Sequence, residues 1–81
     1  MPTVFRIGRY RFFFYSNEGD PREPVHVHVR SGGAEAKFWL DPEIAAAESF
    51  GSNAAELRDL AWLIREREPI IRRAWRDHFG A

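Results

Sequence analysis

The run Glu23-Pro24-Val25-His26-Val27-His28-Val29-Arg30 alternates valine with histidine and arginine. Side chains of an extended strand point alternately to its two faces, about 6.5–7 Å apart along each face. Val25, Val27 and Val29 are therefore set to enter a core, while His26, His28 and Arg30 line up on the opposite side. An alternation this regular specifies a sheet with one buried face and one open face.

Upstream of this strand, Thr3 to Ile7 and Tyr10 to Ser16 are rich in β-branched and aromatic residues and are separated by Gly8-Arg9. A two-residue loop that begins with glycine predicts a tight hairpin. That loop pairs Ile7 with Tyr10 and Phe5 with Phe12. One face then carries Phe5, Ile7, Tyr10, Phe12 and Phe14, and the other Val4, Arg6, Arg11, Phe13 and Tyr15. A bulge would flip part of this assignment. Asn17 to Pro24 has loop composition. Downstream, Gly32-Gly33 makes a second tight turn, and Ala36, Phe38 and Leu40 alternate with Glu35, Lys37 and Trp39. The open face is therefore expected to gather Arg6, Arg11, Arg30, Lys37, His26 and His28 among Phe13, Tyr15 and Trp39, with Glu35 as its only carboxylate.

Asp41-Pro42 ends the last strand, and Pro42 to Ser49 reads as a short helix with Asp41 as N-cap. Asn53-Ala54-Ala55-Glu56 has the spacing of a capping box. Beyond it, Leu57, Leu60, Ala61, Ile64, Ile71, Trp75 and Phe79 form an apolar helical stripe. Pro69 interrupts the stripe and predicts a kink or break near Glu68. The expected architecture is a single α+β domain over 1–81. Residues 1–40 form a four-stranded, mainly antiparallel sheet of two hairpins, 41–52 a connection or short helix, and 53–79 a long C-terminal helix packed on one face.

The chain has 81 residues, twelve basic against twelve acidic, and no cysteine. A domain this small buries only about 60% of its unfolded surface. Disulfides and thiolate zinc sites are excluded. Balanced charge gives no general affinity for nucleic acid or membrane, although it permits a local basic patch. No apolar run is long enough to span a bilayer, and no secretion-signal pattern opens the sequence, so a cytoplasmic protein is expected. Eleven of the twelve basic residues are arginine. That bias reflects either a GC-rich genome or the use of guanidinium forks for phosphate and carboxylate.

The opening Met1-Pro2-Thr3-Val4-Phe5-Arg6-Ile7-Gly8, the run Tyr10 to Glu18, Pro24 to Val29, Ala34 to Leu40 and the closing helix with Trp75 and Phe79 resemble the small prokaryotic proteins grouped as domain of unknown function 4160. The resemblance covers nearly the whole chain. It implies a candidate toxin–antitoxin component, often encoded beside a second small protein, and it assigns no catalytic residue. The Gly19 to Glu23 insert and Pro69 depart from the usual pattern.

Three functions suit these residues. The first is action on RNA. A basic, aromatic sheet face can stack bases and hold phosphates, with Arg6, Arg11, Phe13, Lys37 and Trp39 as contacts. Metal-independent RNA cleavage there would use His26, His28, Arg30 and Tyr15. The second is a metal half-site at His26 and His28, completed by Glu18, Asp20 or Glu23; the first reading needs no cofactor. The third is a partner-binding module or homodimer, in which Trp62, Leu63 and Ile70, flanked by Ala74, form an interface off the core stripe. A plain solvated strand face, and a short helix over the Trp62 flank, are the structural alternatives. The arginines after Asn53 are offset by acids and complement the helix dipole.

Overall fold

A computed structural model describes residues 3–16 and 23–80. Five antiparallel strands follow one another as a meander: β1 (Thr3–Ile7), β2 (Tyr10–Phe13), β3 (His26–Ser31), β4 (Ala34–Trp39) and β5 (Ala45–Phe50). Two helices, α1 (Ala54–Glu66) and α2 (Glu68–Phe79), close the chain.

The first hairpin has the expected register, with Ile7 opposite Tyr10 and Phe5 opposite Phe12. The ladder slips between Thr3 and Phe5, and Val4 packs toward the core instead of joining the open face. In the centre, Val29 lies between Phe12 and Ala36, and Val27 pairs with Phe38. These residues, with Phe14 and Leu40, meet Leu60, Ile64, Ile71 and Trp75 in one core. The period-two face of the sheet and the period-3.6 stripe of the helices thus bury each other.

The sheet has five strands, not four, and the short helix expected over Pro42 to Ser49 is absent. Its place is taken by β5, which pairs with β4 along Glu35–Trp39. Asp41-Pro42 imitates a helix start, and alanine favours helix. The unpaired edge of β4 nevertheless offers a row of backbone donors and acceptors, and pairing with it outweighs local preference. Arg72 of α2 holds the corner before β5: it donates to Asp41 Oδ1 at 2.7 Å and to the Leu40 carbonyl at 3.1 Å. Gly51 then turns the chain at φ +82°, where a Cβ would also press on Ala34 at 3.1 Å.

The capping box forms as expected. Glu56 N–H donates to Asn53 Oδ1 at 2.8 Å, and Asn53 N–H to Glu56 Oε1 at 3.0 Å. The helical part is two helices and not one. Pro69 sits in the first turn of α2, and Arg67 serves as the C-cap of α1 and the N-cap of α2. Leu63 and Ala74 lie partly buried against the core, so Leu63 is less exposed than expected. Trp62 and Ile70 remain 56% and 57% exposed, and no short helix covers that flank.

Two substitutions test this packing by urea unfolding. Phe38→Ala should cost about 3–5 kcal/mol through the cavity it leaves, and Asn53→Ala about 1 kcal/mol through loss of the cap.

Candidate nucleic-acid interface

Residues directly opposite across a ladder share a face, so the register lays out the side of the sheet away from the helices. Arg6 faces Arg11, Arg11 faces Arg30, Arg30 faces Glu35 and Glu35 faces Phe50. This is one row across all five strands: three arginines, a carboxylate and an aromatic ring. The next row is Phe13, His28, Lys37 and Glu48, and the third is His26, Trp39 and Ala45. The expected alternation of β3 is therefore present, with valines to the core and His26, His28 and Arg30 on the other side.

Glu35 organises the middle of the first row. Its Oε1 accepts from Arg30 Nη2 at 2.7 Å and from Arg30 Nε at 3.1 Å. Its Oε2 accepts from the Tyr15 hydroxyl at 2.8 Å, and Arg30 Nη2 also reaches that hydroxyl at 3.3 Å. His28 Nδ1 lies 3.9 Å from the same Oε2. Burial pushes the Glu35 pKa up, but hydrogen bonds from Arg30 and Tyr15 and the charges of Arg30 and His28 outweigh it, so the net shift is downward. The hydrogen bond to Glu35, helped by burial, raises the Tyr15 phenol.

The rings of the second row are closed in. Phe13 is 0% exposed, with the guanidinium carbons of Arg11 and Arg30 at 4.7 and 5.4 Å from its centroid. His28 stacks on Phe13 at 5.5 Å and meets Tyr15 edge-on at 4.5 Å. Phe13 therefore serves as a support for two arginines and presents no surface for a base. His26 is also 0% exposed. Its ring packs between Trp39 at 5.4 Å and Trp75 of α2 at 5.0 Å, and its Nδ1 lies 2.9 Å from the Pro24 carbonyl. His26 is enclosed and does not share an accessible cluster with His28.

This arrangement limits the chemistry. Cleavage of a phosphodiester needs a base and an acid on opposite sides of the reacting phosphorus. Glu35 and His28 stand side by side at 3.9 Å, too close to admit a phosphoryl group between those two atoms. For a metal, the His26 and His28 rings meet edge to face at 5.3 Å. No group of three histidine, aspartate or glutamate ligands with metal-site geometry occurs among the described residues. Glu18 and Asp20 lie outside them.

The open face also carries more acid than expected. Glu48 faces Lys37, and Glu23 Oε1 sits 3.5 Å from Lys37 Nζ, which lies 4.3 Å over the Trp39 ring. His28, Glu35, Lys37, Glu48 and Phe50 line a shallow cleft of about 390 Å³. Sequence reasoning missed Glu48 and Phe50 because both belong to β5. Among the described residues, cation without a paired acid is concentrated on the β1–β3 side, at exposed Arg6 and at Arg11, whose Nε donates to Thr3 Oγ1 at 3.0 Å.

The lowered Glu35 pKa has a defined effect on stability. A depressed carboxylate stabilises the fold above its ordinary value of 4.5, and this contribution disappears as pH falls through the folded-state value. Urea melts between neutral pH and about pH 3 should show the advantage of wild type over Glu35→Gln shrinking across that acid limb. A constant difference would mean that the Arg30–Tyr15 cradle does not hold the ionised form.

The model of one family, described as Domain of unknown function (DUF4160), matches residues 10–76. No curated protein and no solved structure matches the chain. The matched span runs from the start of β2, the second strand of the arginine-bearing hairpin, to the last turns of α2, most of the sequence, and the chain belongs to the DUF4160 family.

Proposed function

We propose that this protein binds single-stranded RNA on its helix-free sheet face, as one component of a small toxin–antitoxin-like regulatory pair. The row Arg6–Arg11–Arg30 carries this reading. Like charges directly opposite one another weaken a sheet, and here three occur on adjacent strands. Arg30 is relieved by Glu35, and Phe13 supports Arg11 and Arg30 from beneath. Arg6 and Arg11 keep their charge toward solvent, and a phosphate backbone laid across the strands would neutralise both. Half-buried Trp39 and Tyr15 and exposed Phe50 supply rings at which bases can stack. A flat row of this kind suits an extended strand better than a duplex, whose bases are already stacked.

Binding, not cleavage, is the activity this geometry supports. His26 and His28 are both buried, and His28 lies 3.9 Å from Glu35, which leaves no room for a phosphoryl group between those two groups. The regulatory-pair element rests on the family resemblance. Growth on expression alone, and together with the product of the neighbouring reading frame, tests it separately.

Fluorescence anisotropy with a labelled single-stranded RNA oligomer tests the binding. Affinity should fall steeply with salt. Arg6→Ala and Arg11→Ala should each weaken binding several-fold and flatten the log–log salt slope by about 0.7, one phosphate's share. Trp62→Ala, on the helical side, should leave both unchanged. Absence of binding at low salt, or equal loss in all three variants, would sink the reading.

A further inference from the structure

β5 is anomalous in a helix-covered sheet. All six of its residues, Ala45–Phe50, are exposed, although a strand beneath a helical layer normally buries every second side chain. Phe50 is 75% exposed, the most exposed large apolar side chain among the described residues. The strand carries one charge, Glu48, and neither lysine nor proline, two residues with which natural proteins blunt a free edge. The opposite edge, β1, is protected by exposed Arg6 and by its slip at Thr3/Phe5.

The irregularity in β5 defines what can pair with it. Phe38 faces Ala46 and Lys37 faces Glu48, which leaves Ala47 as an inserted residue beside Glu48. Two residues opposite one turn the same way. Ala45, Ala47, Glu48 and Phe50 therefore lie on the arginine-bearing face, and Ala46 and Ser49 on the other. Read from either end, the order of faces is the same. An antiparallel pair related by a two-fold axis needs this property, because residues opposite one another must share a face. One register satisfies it over the whole strand: Ala45 against the second copy's Phe50, Ala46 against Ser49, and Ala47 against Glu48. It keeps the two Glu48 carboxylates from facing each other, and Lys37 remains opposite each within its own chain. It also sets each Phe50 ring over the second copy's Ala45, beside that copy's Trp39.

We propose that β5 is completed by β5 of a second copy of this chain in that register, giving a closed, two-fold dimer with one continuous ten-stranded sheet. Pairing β5 to β1 would instead be heterologous, running head to tail into a ring or an open filament and not into a two-fold dimer. The dimer rests on the β5 edge and not on the arginine row, although Phe50 and Trp39 would serve both the dimer and RNA, so association is measured in the absence of RNA.

Sedimentation velocity on the full chain, without RNA, tests the dimer over a series up to about 0.5 mM. A strand-pair interface lies near the lower bound of about 1,000 Å² for specific association, so dissociation in the micromolar range is expected. Phe50→Asp, at an exposed position, should weaken association at least about tenfold, and Trp62→Asp should leave it unchanged. The chain has no cysteine, so engineered ones report the register. Ala45→Cys/Phe50→Cys should form disulfide-linked dimers on mild oxidation. Within one strand these positions are about 17 Å apart, too far for an internal bridge. Ala45→Cys/Ser49→Cys places its thiols on opposite faces and should not link. A monomer across the whole series, a dimer broken by Trp62→Asp but not Phe50→Asp, or linkage only in the second cysteine pair would each overturn the proposal.

Discussion

The pleat of β3 governs the molecule. One strand, hydrogen-bonded on both sides, sends Val27 and Val29 into the core and His28 and Arg30 to the opposite face, while His26 at its start packs against Trp75. A slip of a single residue would exchange the two sets and put imidazole and guanidinium against Leu60 and Ile64. The cost of burying such groups among aliphatics pins the register of β3, and the neighbouring strands inherit it through their ladders. The cross-sheet row of arginines is thus a by-product of the hydrophobic core: once the valines are committed, Arg30 must stand beside Arg11 and Glu35.

Most of that logic is local, and it was legible in the sequence. The glycine turn at Gly8-Arg9 set the first hairpin, the valine alternation set β3, and Asn53 with Glu56 marked the start of α1. Pro69 marked the place where the helix parts. β5 was not legible, because nothing in Ala45-Ala46-Ala47 asks for a strand; it forms because β4 offers an open edge. The same non-local cause hid the shielding of the open face. Trp75 comes from the far end of the chain to close over His26, and the burial of Phe13 beneath two guanidinium groups depends on three strands at once. Periodicity shows where a side chain points. It does not show what later arrives to cover it.

Among the described residues, the charges on the open face divide by strand. Toward β4 and β5, cations meet carboxylates: Arg30 with Glu35, Lys37 with Glu23 and Glu48. Toward β1 and β2, Arg6 and Arg11 have the Thr3 hydroxyl and the Phe13 ring for company. A chain with no net charge thereby becomes a dipolar surface, basic at one edge and balanced at the other. An anion laid along the strand-crossing direction would meet a gradient and not a uniform patch, so the proposed binding would have a polarity.

Arg72 sits where the two layers of the fold meet. It is tied to Glu68 within α2, at 2.7 Å, and to Asp41 and the Leu40 carbonyl at the corner from which β5 departs. The pair draws the Asp41 carboxyl below its usual range, so the tie stays ionic through mild acid. A strand that receives almost no cover from the helices is nonetheless aimed by one of them. The helical layer thus anchors the turn that leads into an edge strand it scarcely covers.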